Sequence, residues 1–304
     1  MHVEKSISIN ASAEKIKSVL VDFNQWRAWS PWLIMEPEAV VTVNPDGKSY
    51  SWEGNRVGSG EMVTTSSEGN DKILYDLTFL KPWKSKAKVG FDLVESGEST
   101  EVKWWMDSSM PFFLFFMTKM MEAFVGMDYY RGLLMLKDYI EAENVPSTLE
   151  YEGKKAFEGT KYVGLKTACK FANIDTEMER DFNNLAKLCE EKSIPMESYA
   201  FTIYNKMDVV KGDMEYTVAM PIGKDVEGLP DGFFIGEAPR LNSAVIKHTG
   251  PYRHVGNAWA QGYMMDRNKE FKINKKAAAI EVYLNDPDKV PENELVTEVY
   301  LPLK

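Results

Sequence analysis

The sequence is poor in the residues that most often bind metals or attack substrates. Only two cysteines, Cys169 and Cys189, and three histidines, His2, His248 and His254, occur in 304 residues. They show no metal-type spacing, so no metal ligands are assigned. No nucleotide-binding motif is present either, and no cofactor is expected. Two unpaired cysteines suit a reducing compartment, so the expected location is cytoplasmic, with the thiols reduced. Positive charge is also scarce. Lys and Arg number 36 against 46 Asp and Glu, a formal net charge of −10. That balance repels phosphates, and no basic cluster or helix-turn-helix signature reverses it, so no nucleic acid partner is expected. Long apolar runs are missing. The N-terminal "MHVEKSISINASAEKI" has no apolar core of signal-peptide length. The most apolar stretch, "MPFFLFFM" (110–117), is followed by Lys119 and Glu122 and is too short to span a bilayer. It reads as a core or pocket-wall segment, with a membrane-contacting patch as the alternative, and no membrane partner is expected.

What is present falls into two unlike halves. Seven of the eight tryptophans precede residue 106, and only Trp259 lies beyond. The length allows two domains, each with its own core. The expected division is 1–145, a linker at 146–155 within the polar "AENVPSTLEYEGKK", and 156–304. The first half opens on an alternating strand, "EKSISINAS". A helix follows with Ser12 as N-cap and Ile16, Val19 and Leu20 at helical spacing. Several strands come next, and a long helix, "MTKMMEAFVGMDYYRGLLMLKDYIEAE", closes the half. This order predicts an antiparallel sheet wrapped around a helix, with inner-face aromatics available to line a cavity.

The runs "NQWRAWSPW", "YSWEGN", "VGSGEM" and "GLLMLKDYIEAE" make residues 1 to about 145 resemble the START-like, polyketide cyclase (SRPBCC) superfamily. The resemblance implies a helix-grip fold with a hydrophobic ligand cavity. It fixes no single reaction, because the superfamily includes cyclases, lipid carriers and binders. Core packing accounts equally well for any one of Trp26, Trp29 and Trp32.

The second half repeats itself. "SYAFTIYNK" (198–206) aligns with "AAIEVYLND" (278–286), and "EYTVAMPIG" (215–223) with "VTEVYLPLK" (296–304). "KYVGLKT" (161–167) aligns with "NSAVIKH" (242–248), and each copy holds a helix after its first strand. The expected fold is therefore α+β: a START-like domain, then a duplicated β-α-β-β domain with one antiparallel sheet and both helices on one face. Phe201, Ile203, Ile280, Val282, Val218, Met220, Val299 and Leu301 are expected to face the helices. Thr202, Tyr204, Thr217, Ala219, Glu281, Tyr283, Glu298 and Tyr300 are expected on the opposite face.

With "HTGPYRHVGNAW" and "IEVYLNDP…TEVYLPL", residues 152–304 resemble the GyrI-like effector-binding domain, the drug-sensing module of multidrug-responsive transcription regulators. The resemblance implies that Glu281 sits in an aromatic cleft and pairs with cationic, lipophilic ligands. It also implies a sensor without the usual N-terminal DNA-binding helices.

An ionised carboxylate in an apolar cleft costs several kcal/mol in desolvation and tends to raise its pKa or find a partner. An aromatic cation would supply that partner, and tyrosine faces would add cation–π attraction. The candidate ligand-binding residues are Glu281, Tyr283, Tyr204, Tyr252, Trp259 and Tyr300. From the residues alone, a solvated strand face explains the same pattern; the family resemblance favours the cleft. Glu298 reads as a surface residue. His248 reads as structural, since no serine or cysteine nucleophile is placed beside it by sequence. Three functions stand: a binder or sensor of a hydrophobic small molecule, a hydrolase or cyclase with Glu281 as general base, and a regulatory adaptor read by a protein partner of unspecified kind.

Overall fold

A computed structural model describes residues 1–67, 69, 71–109 and 116–304. Most of the apolar run 110–117 lies outside the described residues. The chain is mixed α+β with two antiparallel sheets, and it divides into Met1–Pro146 and Ser147–Lys304.

In the first unit β1 (His2–Ile9) leads to α1 (Ala13–Val21) and the short α2 (Trp26–Trp29). Ser12 caps α1, its Oγ accepting from the Lys15 amide at 3.3 Å. At the other end of α1 the Leu20 carbonyl accepts from Trp26 Nε1 at 2.8 Å and the Tyr75 hydroxyl at 2.9 Å, so two aromatics satisfy a group the helix leaves open. Six more strands follow: β2 (Val40–Val43), β3 (Ser49–Glu53), β4 (Ser59–Ser66), β5 (Lys72–Lys81), β6 (Ser85–Ser96) and β7 (Ser99–Ser108). They form a meander closed by β1 pairing with β7, in the order β1-β7-β6-β5-β4-β3-β2. The long α3 (Thr118–Ala142) buries Tyr129, Leu133, Leu136 and Ile140 in the core shared with the sheet and α1. The inner-face aromatics meet ring on ring. Trp104 stacks between Phe91 (centroids 5.0 Å apart) and Tyr129 (4.0 Å), with Trp26, Trp29 and Trp32 edge-on to it.

The second unit holds eight strands and two helices: β8 (Thr148–Phe157), β9 (Thr160–Lys170), α4 (Ile174–Glu191), β10 (Phe201–Asp208), β11 (Asp213–Pro221), β12 (Phe233–Ala238), β13 (Leu241–Thr249), α5 (Gly256–Arg267), β14 (Ala279–Tyr283) and β15 (Val296–Pro302). They form one sheet in the order β12-β9-β11-β10-β14-β15-β13-β8. The expected linker 146–155 is corrected here: most of it is β8, hydrogen-bonded to β13. Both strands missing from the sequence pattern, β8 and β12, are edge strands. β8 carries Glu150, Glu152, Lys154 and Lys155, and β12 is a short apolar run broken by Gly236, so neither shows the alternation that marks interior strands. Close seating of α5 on the sheet depends on Gly262, where a Cβ would lie 2.1 Å from Leu301 Cδ1.

The face assignment needs a second correction. Directly paired residues of neighbouring strands share a face, and the register pairs Thr202 with Val218 and Glu281 with Val299. Val218 and Val299 pack in the helix-side cores, as expected. Thr202, Tyr204, Glu281 and Tyr283 therefore also face the helices. Phe201, Ile203, Ile280 and Val282 lie on the opposite face, in a separate cluster with Tyr162, Ala219 and Tyr300.

Candidate ligand-binding site

Glu281 sits on β14, in the centre of the sheet, directly paired with Thr202 of β10. It is only 5% exposed. Its Oε2 accepts from the Tyr204 hydroxyl at 2.7 Å and the Tyr283 hydroxyl at 3.0 Å, and its Oε1 accepts from Trp259 Nε1. These donors come from β10, β14 and α5. All are neutral. The two tyrosines match each other in the sequence alignment of the copies, and both reach the single carboxylate at the central strand pair.

Around this carboxylate the rings meet edge to face. Tyr204 lies 4.8 Å from Trp259, Phe182 of α4 lies 5.4 Å from Tyr283, and Tyr252 lies 5.5 Å from Tyr283. Tyr263 stacks on the outer side of the Trp259 contact at 6.2 Å. Tyr252 and Tyr263 are the exposed members. The Tyr252 position follows from the Gly-Pro-Tyr turn, in which Gly250 takes φ +138°, open to glycine and strained for other residues.

Burial pushes the Glu281 carboxyl above its ordinary range, and the bonds from Trp259, Tyr204 and Tyr283 offset that only in part. Burial and the Glu281 charge hold the Tyr204 and Tyr283 hydroxyls protonated, far above the usual phenol range. Burial likewise pushes Tyr252 up to about 12. The hydroxyls are thus protonated at neutral pH, and those of Tyr204 and Tyr283 donate to the one carboxyl group at the centre of the cluster.

Of the six residues selected from sequence, Glu281, Tyr283, Tyr204, Tyr252 and Trp259 come together. Tyr300 does not. It lies on the other sheet face, where its hydroxyl donates to Glu298 at 2.7 Å. Glu298, expected at the surface, is 8% exposed and pairs with Lys155 at 3.2 Å. Sequence reasoning missed Phe182 and left Thr202 without a role. The Thr202 hydroxyl lies 2.9 Å from that of Tyr283. Strand register would have found Thr202, which stands opposite Glu281.

His248 is a further correction, since a serine does lie beside it. Ser147, 101 residues upstream, brings its Oγ to 3.0 Å from His248 Nε2, and Asn257 Nδ2 donates to the same Oγ at 3.2 Å. His248 is fully buried, and burial together with the nearby His254 pushes it down to about 3. A base that weak and that enclosed suits a structural knot tying the start of the unit to α5. Among the described residues, no group of three or more His, Cys, Asp or Glu side chains is placed to hold a metal ion. Among them also, no helix is long and apolar enough to cross a membrane. A separate depression of about 370 Å³, lined by residues including Leu165, Leu188 and Phe233, shares no residue with the Glu281 cluster.

Two family models match the chain. Residues 154–304 belong to the GyrI-like small-molecule-binding domain family, and residues 1–141 to the polyketide cyclase/dehydrase and lipid-transport family. The second unit is accordingly a small-molecule-binding domain. No curated protein matches the sequence. Among solved structures, the EcmrR C-terminal domain is similar at 14% identity, covering 52% of this chain and 98% of that one, with a TM-score of 0.42. SAV2435, solved bound to tetraphenylphosphonium, is similar at 15% identity, covering 51% and 94%, TM-score 0.40. The Aha1 dimer from Colwellia psychrerythraea is similar at 21% identity, covering 47% and 97%, TM-score 0.36.

Proposed function

We propose that the second unit binds a lipophilic cation, with Glu281 as its counter-ion and Tyr204, Tyr252, Trp259 and Tyr283 as its aromatic walls. One observation carries this reading: a carboxylate 5% exposed, ringed by aromatics, whose contacts are all neutral donors. Three hydrogen bonds hold the side chain in place but leave its charge uncompensated. A cation with apolar flesh would supply that charge and gain cation–π attraction of about 0.5–2 kcal/mol per ring. The test is a fluorescence titration of a lipophilic cationic dye against wild type and Glu281→Gln. We expect at least about thirtyfold weaker binding in the variant, as for truncating one partner of a buried charge pair. Equal affinity overturns the reading.

The raised carboxyl and the Thr202–Tyr283–Glu281 hydroxyl chain also suit a general base. Turnover of an electrophilic ligand by wild type, abolished in Glu281→Gln with binding retained, would shift the assignment to a hydrolase.

Two architectural readings accompany this one. The order of the eight-stranded sheet is a palindrome when β8–β11 are matched to β12–β15, which supports a tandem duplication in which each β-α-β-β unit is preceded by one further, edge strand, with Glu281 in only one copy. In the first unit, the meander closed by β1 and packed on α3 supports a helix-grip fold.

A further inference from the structure

Exposed apolar side chains gather at one end of the first unit. There α3 runs parallel to β1. It passes the start of β1 at Gly126, where a Cβ would lie 3.2 Å from Lys5 Cε and 3.8 Å from Val3 Cγ1. Further on, Lys137 Nζ donates to the Ser8 carbonyl at 2.9 Å. Residues 118–125 therefore carry the helix about 12 Å beyond Gly126, at about 1.5 Å per residue. None of them is buried.

The β5–β6 turn reaches the same end. β1 starts opposite the end of β7, with His2 paired to Asp107. β7 in turn ends opposite the start of β6, with Ser108 paired to Ala87 and its hydroxyl donating to the Lys86 carbonyl at 3.2 Å. Two apolar tips thus project together. Leu80 and Trp83 are exposed at the turn, and Phe116, Met120 and Phe124, at i, i+4 and i+8, form an exposed stripe at the start of α3. Grouped apolar exposure of this kind marks an interaction surface, unlike single exposed residues.

Lysines flank both tips. Lys84, Lys86 and Lys119 are exposed and make no ion pair among the described residues, while Lys81 pairs with Glu53 at 2.8 Å. Of the acids at this end, Asp107 is engaged by His2 at 2.8 Å, which leaves Glu122 against three lysines. Protein–protein interfaces are depleted in lysine. Anionic headgroups attract it, and tryptophan favours the membrane–water boundary. Charge and side-chain type together select a lipid surface over a protein.

We propose that this end of the first unit docks on an anionic phospholipid surface. Trp83, Met120 and Phe124 enter the boundary between headgroups and acyl chains, and Lys84, Lys86 and Lys119 meet lipid phosphates. The protein lies on the membrane and does not cross it. The net charge of −10 opposes this only weakly, because charges farther than about 8 Å are screened at physiological salt.

The experiment is flotation of the full chain with vesicles of phosphatidylcholine, alone or mixed with phosphatidylglycerol. Wild type should partition at least about tenfold better onto the mixed vesicles. Trp83→Ala with Phe124→Ser should lower that partition about tenfold, and Lys84→Gln with Lys119→Gln should erase the preference for the anionic lipid. All four side chains are exposed, so the variants should keep the wild-type circular dichroism. Among the described tryptophans only Trp83 is exposed, so brominated acyl chains should quench its emission. Trp83→Phe should lose that quenching and still float. Flotation that is absent, equal on both vesicle types, or unchanged in both double variants overturns the proposal. So does a wild-type dimer in sedimentation velocity that Trp83→Ala with Phe124→Ser disperses, without vesicle binding; the patch is then a contact between copies.

Discussion

The tetrapeptide Glu-Val-Tyr-Leu occurs twice, at 281–284 and 298–301, on adjacent strands of one sheet. The two copies meet opposite fates. Because β14 and β15 pair with Glu281 opposite Val299 and Val282 opposite Glu298, their glutamates point to opposite faces. Glu281 goes to the helix side, among neutral hydroxyl and indole donors. Glu298 goes to the other side, where Lys155 of β8 pairs with it and Tyr300 donates to it. Lys155 also pairs with Glu152, and Lys247 joins Glu150 and Glu152. One carboxylate is neutralised within the fold; the other is hydrogen-bonded without a countercharge. Identical local sequence therefore gives a structural ion pair in one place and a candidate binding charge in the other.

The largest effect should come from Glu281→Gln, with at least about thirtyfold lost cation affinity, whereas Glu298→Gln should leave affinity unchanged in the same titration. If Glu298→Gln weakened binding equally, the contrast between the faces would fail.

A second contrast involves His248, buried like both glutamates, whose protonated form meets a second histidine, His254, and no countercharge. Its pKa is depressed, to about 3 against an ordinary 6.5, so its neutral form stabilises the fold fully above about pH 6.5. That stability is lost as pH falls toward about 3, amounting to about 2 kcal/mol by pH 5. Urea denaturation at pH 7 and pH 5 should show it, and His248→Gln should flatten the difference. The Glu281 carboxyl, shifted the opposite way, should take up a proton at a pH above its ordinary 4.5, so cation affinity should fall as pH drops through that raised value.

Lys155→Ala leaves Glu298 without its countercharge and should cost about 1 kcal/mol in urea denaturation, a figure discounted because the lysine side chain is 40% exposed. Cation affinity should not move. The smallest effects separate the tyrosines. Tyr204→Phe removes a donor from Glu281 and should change cation affinity by about fivefold, the net worth of one hydrogen bond. Tyr300→Phe, on the other face, should stay within about twofold.

Much of the fold was legible in sequence because interior elements repeat with clear periods. Ser12 caps α1 as the pattern predicts, and the long helix and the interior strands of both sheets stand where alternation indicates them. The edge strands β8 and β12 were not legible, since charge interrupts the first and the second is a short apolar run without alternation. Site residues were legible in part. Glu281, Tyr283, Tyr204, Trp259 and Tyr252 carry a motif. Phe182 and Ser147 do not, being joined to the site and to His248 only across the fold.

The sequence by itself determined the α+β class, the two unlike halves, the net negative charge and the Glu-x-Tyr residues. Tertiary structure alone decided which glutamate meets which face. Strand periodicity fixes that alternate residues share a side, but not which side. Register with the neighbouring strand decides that, and register is set by long-range pairing. Glu281 opposite Thr202, with α4 and α5 on its side of the sheet, is the outcome of that pairing.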